Sequence, residues 1–419
     1  KLMKGVCIEC GCTDDDCQQC IEKIGHPCHW VEPDLCSACK YGVSSLINHK
    51  SSKMKFTTET NTLKEALQRL GFAINNKSVV PALGCILVTV TKEEVLLTTT
   101  DLLVTINYRV ECKTDGEGQF LLPFTHLKNI VALETGTVLI EYLGDKKGAI
   151  AKFDEDVFSL GAHGAATDFP KLSSIPKKGM LYMNNEFITA LKMAAIGVSK
   201  DESKPVCHNI CIELNKNGVT VTSTDTFTIY THKIDSELAV DEKTELLIPS
   251  VVAKVLDGFD SAKIGFNKQH MAFESGPVLV TCKRAEGVFP AWRNVMPAHD
   301  SNLNIKIDDL KAAVEKAYIM SDSTYNGIDF LIKETQVELK TDVQDTGMGS
   351  SCKIPAVSQS SINHLRLPGR FLKRLITQLE TQTESDGDIC LSIQSEKKIT
   401  ARVFGKSNIT ILLVPISKN

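Results

Sequence analysis

No apolar run in this sequence approaches the roughly 20 residues that a bilayer-spanning helix requires, and no secretory signal opens it. The expectation is a cytoplasmic and therefore reducing compartment, where structural disulfides are disfavoured. Net charge is also small, with 47 basic against 51 acidic residues leaving −4. That balance excludes a generally basic coat for nucleic acid, while leaving room for one locally basic surface. Common catalytic signatures are missing as well: there is no P-loop, no H-E-x-x-H and no G-x-S-x-G. The rest of the composition is that of a globular protein, long enough for about three domains at roughly 100–200 residues each.

Cysteine is plentiful but unevenly spread. Eight of the 15 cysteines fall within the first 39 residues. Cys7/Cys10 and Cys36/Cys39 form two C-x-x-C knuckles separated by 25 residues. Each knuckle puts two thiolates on one tight turn, and two such turns make a tetrahedral sulfur site for zinc. Cys12, Cys17, Cys20 and Cys28, with His26 and His29 beside them, are candidates for a second zinc; free thiols, or histidine replacing one cysteine, are the alternatives. A segment of about 40 residues has little core of its own, so metal would supply its folding free energy. The head carries four lysines against seven acidic residues, which suits protein contact or a plain structural role better than phosphate binding. Residues 41–53 are short, polar and serine-containing, and read as a linker. The other seven cysteines, Cys85, Cys112, Cys207, Cys211, Cys282, Cys352 and Cys390, lie mostly in strand-like apolar runs and read as small buried hydrophobes.

From Met54 onward the chain repeats itself. LLPFTHLKNI at Leu121, LIPSVVAKVL at Leu247 and RLPGRFLKRL at Arg366 share one pattern: apolar residues, a proline, then an apolar/lysine helical period. The prolines, Pro123, Pro249 and Pro368, are 126 and 119 residues apart, which is the length of a domain. A second marker agrees. Asp101, Asp225 and Asp342 stand at strand bends 124 and 117 residues apart. Helical faces precede them: Leu63, Ala66, Leu67, Leu70 and Ile74; Phe187, Leu191, Ala194, Ala195 and Val198; Leu310, Ala313, Val314 and Ala317. Each unit reads β-α-β-β-β-α-β-β-β, a layered α+β domain with two helices and two small sheets. The expected boundaries are 1–40 for the head, 41–53 for the linker, then 54–173, 174–301 and 302–419 for the three units.

With these residues in view, the body resembles the bacterial sliding clamp, the beta subunit of DNA polymerase III. The resemblance rests on MKFT at Met54, VPALG at Val80, LLTTTDL at Leu96, DFPKL at Asp168, STDTFTIY at Ser223, EGVFPAWRNVMP at Glu286 and the terminal LLVPI. The Cys-rich head lies outside that family's usual pattern. The resemblance implies three clamp domains per chain and a head-to-tail homodimeric ring. Helices line the hole and double-stranded DNA threads it without sequence preference. Polymerase and clamp-loader subunits dock through short hydrophobic motifs, and the clamp body has no catalytic centre and no cofactor. Carried over by position, Lys77, Lys200 and Lys204 are expected in DNA-contacting loops. Lys128, Lys254 and Lys373, each five residues after its proline, are expected on the inner helices. The peptide cleft maps to His208, Thr224, Thr226, Phe227, Thr228, Ile229, Pro249, Ala253, Leu412 and Val414. The dimer joint maps to Phe158 and Leu160 on one side, Ile319 and Met320 on the other. Two departures stand out: Phe227-Thr228 replaces the family's usual histidine-arginine, and ISKN replaces a short basic end. Two other readings remain at this point: a clamp-like interaction scaffold of a mobile element that does not support replication, and a zinc-dependent enzyme acting on nucleic acid.

Overall fold

The proline of each repeated phrase closes a strand and opens a helix. A computed structural model describes residues 30–32, 35–36, 54–172, 181–238, 240, 242–296, 302–321, 326–343, 347–381, 387–395, 398–403 and 408–415. The strand Gly118–Pro123 runs into helix α2 (Phe124–Leu133), and His364–Pro368 runs into α6 (Gly369–Glu380). Thr244–Pro249 is followed one residue later by α4 (Val251–Leu256). Proline suits that place, because the first helical N–H groups have no intrahelical partner and its φ is already near −65°. The other helix of each unit is α1 (Thr60–Leu70), α3 (Asn185–Ile196) and α5 (Ile307–Ile319). Their buried residues include most of the predicted faces, such as Leu63, Ala66, Leu67 and Leu70 in α1, but Ile74 and Val198 lie beyond the ends of α1 and α3, and Ala195 is half-buried.

One element count needs correction. Four main strands, not three, separate the two helices of each unit, Cys85–Val90, Glu94–Thr100, Val104–Glu111 and Gly118–Pro123 in the first, and a further short strand joins them in the first unit (Lys113–Asp115) and the third (Val357–Ser358). The apolar residues ahead of each proline looked like the start of the helix, but they pair as a strand against the first of the four, Leu122 opposite Ile86 for example.

The sheets do not stop at unit boundaries. An eight-stranded sheet joins units one and two through antiparallel pairing of Val278–Lys283 with Val104–Glu111, Val280 opposite Ile106. A nine-stranded sheet joins units two and three through Ile409–Leu413 on Thr228–Asp235, Ile411 opposite Tyr230. The first unit's remaining five strands end at Asp156–Gly161, and the third unit's remaining four at Met348–Pro355. One contiguous apolar core, from Met54 to Leu413, runs through all three units. Near the free strand Asp156–Gly161, glycine is required at Gly148: its φ is +73°, and an added Cβ would lie 1.5 Å from the Gly161 carbonyl oxygen.

In the head, Trp30–Glu32 pairs antiparallel with Leu35–Cys36. The other predicted zinc ligands, Cys7, Cys10, Cys12, Cys17, Cys20, Cys28 and Cys39, lie outside the described residues, as does the linker.

Candidate nucleic-acid and partner interfaces

The helices form a continuous row. Helix α1 packs on α2, α3 on α4 and α5 on α6; the turn Gly71–Ala73 after α1 touches α4, and α3 touches α6. Helix C-termini leave carbonyl groups without intrahelical partners, and this row satisfies several of them with a neighbour's side chain. Lys64 of α1 donates to the Glu134 carbonyl at the end of α2, at 2.8 Å. Arg69 of α1 reaches across the seam between units one and two to the carbonyls of Val255 in the last turn of α4 and Asp257 just after it, and its guanidinium lies over the Phe259 ring. Gln378 of α6 reaches the Met193 carbonyl of α3 across the second seam, at 2.9 Å. Lys192–Asp257 and Lys311–Glu380 ion pairs, at 2.8 and 2.7 Å, add charged side-chain ties between neighbouring helices of the row.

That arrangement sorts the helix cations. Lys64, Arg69, Lys192, Lys311 and Arg374 are occupied by neighbouring helices or turns. Lys128, Lys254 and Lys373 are all exposed, in keeping with their shared position after the proline. Lys77 and Lys200 are exposed in their loops. Lys204 is different: its ammonium donates to Thr226 Oγ1 at 2.9 Å, lies 3.6 Å from Asp201 and sits over the Phe227 ring. It belongs to the neighbourhood of the predicted cleft as much as to any phosphate-facing surface.

Two of the three predicted bend aspartates build the same turn; the third, Asp342, instead lies within the strand Gln336–Val343, paired opposite Gly349. Asp101 Oδ1 accepts from the N–H groups of Leu103 and Val104 at 2.9 and 2.7 Å; Asp225 Oδ1 accepts from Phe227 and Thr228 at 3.0 and 2.7 Å. Both turns carry a non-glycine residue in the left-handed region, Leu102 and Thr226, each at φ +77°. Asp225 has a further partner: Arg374 of unit three, at 2.8 Å, which also donates to Thr228 Oγ1. The turn of unit two is therefore tied to α6. Phe227 lies on Phe371, ring centroids 5.8 Å apart. Neither Arg374 nor Phe371 is marked by any local pattern; their role depends on units two and three meeting.

The predicted cleft residues divide into two sets. Thr224, Thr228, Ile229, Ala253 and Leu412 are buried, while Phe227 stays half exposed and Val414 partly so, its N–H bonded to the Phe227 carbonyl. His208 and Pro249 line a separate groove of about 400 Å³ with Leu103, Pro205, Val251 and Lys283, at the seam of units one and two. A related groove of about 220 Å³ in unit one is lined by Pro81, Pro123, Phe124 and His163 among others.

On the edge strand Asp156–Gly161, Leu160 is buried and Phe158 half-buried edge-on against Phe153, at 5.9 Å. Val157, Met348 and Ile319 are exposed, Ile319 at 75%, and Met320 is half-buried.

Among the described residues, one group has metal-ligand geometry: Cys211, Glu213 and Glu245. Its chemistry favours another reading. Glu213 is bonded to Arg293 at 2.7 Å and Lys243 at 2.8 Å, which already meet its charge. Burial by itself would raise the Glu213 carboxyl, but hydrogen bonds and positive charge from Arg293 and Lys243 outweigh it and hold the group below the ordinary glutamate value. Burial pushes the Cys211 thiol far up, against the thiolate a metal needs. All seven body cysteines are free thiols, five of them buried. No helix among the described residues is long and apolar enough to cross a membrane.

Three like units, joined by sheets that cross each seam and backed by a continuous row of helices, define the sliding-clamp fold. Solved structures agree. The DNA polymerase sliding clamp of Bacillus subtilis matches at a TM-score of 0.76 and 18% identity, covering 88% of this chain and 100% of that one. The beta subunit from Thermotoga maritima matches at 0.77 and 16%, covering 87% and 100%. In sequence, residues 54–173 match the DNA polymerase III beta subunit N-terminal domain and residues 182–291 its central domain, together more than half of the 419 residues. The chain belongs to the bacterial DNA polymerase III beta subunit family. Among its relatives, the beta sliding clamp of Pseudomonas putida is 22% identical over 297 residues, spanning 68% of this chain and 80% of that protein. That of Micrococcus luteus is 25% identical over 252 residues, spanning 58% and 80%.

Proposed function

We infer that this protein is a DNA polymerase processivity factor, a sliding clamp that encircles duplex DNA and tethers its partners to it. The observation that carries this reading is the unfinished sheet. At both interior seams, the last strand of one unit pairs with the third inter-helix strand of the unit before it. The strands left over are the corresponding ones: Asp156–Gly161, last in unit one, and Met348–Pro355, third in unit three. Pairing them between two copies repeats the same joint, and a heterologous contact that closes makes a ring. Exposed Val157, Met348 and Ile319, with Phe158, Leu160 and Met320, would be covered by it.

A closed ring needs no tight grip on DNA. Weak lysine–phosphate contacts suffice and permit sliding, which reconciles a net charge of −4 with work on DNA. Exposed Lys77, Lys128, Lys200, Lys254 and Lys373 are our candidates for those contacts, and Lys204 for a bridge between DNA and cleft. Partner motifs would dock at the seam of units two and three, around Phe227 and Val414. The clamp units are assigned to 54–173, 174–301 and 302–419. We expect the protein to stay on circular DNA and to leave when the circle is cut. Loss of retention from the intact circle would overturn the reading, and Val157→Asp with Ile319→Asp should abolish both dimer and retention in sedimentation while leaving the fold intact.

The Cys-rich head is proposed to hold zinc through Cys7, Cys10, Cys36 and Cys39, with Cys12, Cys17, Cys20 and Cys28 as a possible second set. Metal analysis of the intact chain should find zinc, and Cys7→Ser with Cys36→Ser should release it without loss of the ring; a zinc-free intact chain would end the proposal.

A further inference from the structure

Both connectors between units cover equivalent spots. Two residues before each repeated proline, a cross-strand pair faces away from the main core: Leu121 with Leu87, Leu247 with Cys211, and Arg366 with Asp329. In unit one the pair is apolar and packs with Phe169, from the connector to unit two. In unit two it packs with Phe289, from the connector to unit three. After each aromatic, the chain starts the next unit at the far end of the same sheet. Leu181–Met183 is the edge strand of the eight-stranded sheet, and Leu303–Lys306 stands next to the edge strand of the nine-stranded one.

Unit three keeps the spot and changes its chemistry. Asp329 is bonded through one carboxylate oxygen to His364 and through the other to Arg366, each at 2.9 Å. The Arg366 guanidinium lies across Gly327, where an added Cβ would come 2.5 to 2.8 Å from its Nε, Nη2 and Cζ. The His364 side chain is 38% exposed and that of Arg366 21%. A guanidinium laid flat on a strand accepts an aromatic ring over its plane.

A ring of two copies brings an aromatic within reach of that spot. With Asp156–Gly161 of one copy paired to Met348–Pro355 of the other, the strand in the place of Leu181–Met183 and Leu303–Lys306 is Lys55–Glu59. Phe169 stands 12 residues before Leu181, and Phe289 stands 14 before Leu303. Tyr41 stands 14 before Lys55. In the joined sheet, six strand spacings of about 4.8 Å separate Lys55–Glu59 from Gly327–Ile332, about 29 Å, whereas 14 extended residues reach about 46 Å. Phenylalanine suits the apolar pairs of units one and two; tyrosine offers a ring to the guanidinium and a hydroxyl to the polar groups beside it. We propose that residues 41–53 of one copy cross the dimer joint on the face away from the helices, and that Tyr41 docks on Arg366 and Asp329 of the other copy. The Cys-rich head is thereby held against unit three of the second copy. The proposal rests on the ring of the clamp reading above.

The test uses the intact chain with the photo-cross-linker p-benzoylphenylalanine in place of Tyr41. Irradiation should give a covalent product of twice the chain mass, its link mapping to Gly327–Ile332 or His364–Pro368. Links confined to one chain, links to another part of the second copy, or no link at all would each overturn the proposal. Affinity gives an independent reading. Tyr41→Ala and Arg366→Ala should each weaken the dimer about tenfold in sedimentation, and the double variant should be no weaker than either alone. Tyr41→Phe should keep most of the affinity, because the ring remains. Losses that add, or no loss, would count against the contact. Retention on circular DNA is measured on the same preparation. A retained dimer without the cross-link loses only this inference, whereas a chain that is monomeric and not retained loses the clamp reading, and this inference with it.

Discussion

Glu213 shows how much a single residue in this fold depends on partners far along the chain. Its side chain is 3% exposed and holds Arg293, 80 residues away, together with Lys243. A buried carboxylate stripped of a partner pays its desolvation without return, so Arg293→Ala should cost about 1–3 kcal/mol at neutral pH. The pH dependence follows from the depressed carboxyl. The stabilisation is fully present above the unfolded glutamate value, near 4.3, and is lost as pH falls through the lower folded value. Urea melts of the wild type and Arg293→Ala should therefore converge as pH is lowered below the unfolded glutamate value and through the lower folded one. A difference that stays constant with pH would assign the effect to the packing of Arg293 on Trp292 instead. Residue-level reading of the sequence succeeded where chemistry is local. The scattered cysteines are small buried groups for the most part, with Cys112 and Cys352 only partly so. Asp101 and Asp225 sit at the bends expected of them because an aspartate accepts hydrogen bonds from N–H groups two and three residues on. Lys204 was only half legible, since its tie to Thr226 spans 22 residues and belongs to no local pattern.

Among the elements, the helix row is held by end-capping across seams. Gln378, 2% exposed, closes the Met193 carbonyl from another unit. Gln378→Leu leaves that carbonyl buried and unpaired, at a cost of about 1–3 kcal/mol, and should weaken the seam of units two and three in particular. Hydrogen exchange should show α3 losing protection, while α1 and α2 remain as before; uniform loss throughout would count against the assignment. Helix positions were readable because a 3.6-residue apolar period and a proline start are local signals. The strand ahead of each proline was missed for a complementary reason: a short apolar run of LLP type fits a buried strand as well as a helix start, and only pairing such as Leu122 with Ile86 decides between them.

At the scale of the molecule, the repeat period, the three α+β units and the family resemblance were all in the sequence, because each unit specifies its own periods, turns and caps within about 120 residues. What the sequence did not contain was the joinery. Backbone hydrogen bonds between strands are blind to side-chain identity, so nothing local announces that Val278–Lys283 will extend the sheet of unit one, or that Ile409–Leu413 will extend that of unit two. The same pairing brings Phe227 onto Phe371 and Arg374 onto Asp225, and so shapes the seam of units two and three. The sequence by itself determined three copies of a domain and their turns, since those depend on neighbours in the chain. Only the tertiary structure decided which strands join the units, which are left over at the two ends of the row and which lysines are left exposed, because each depends on groups that meet only when separate units pack together.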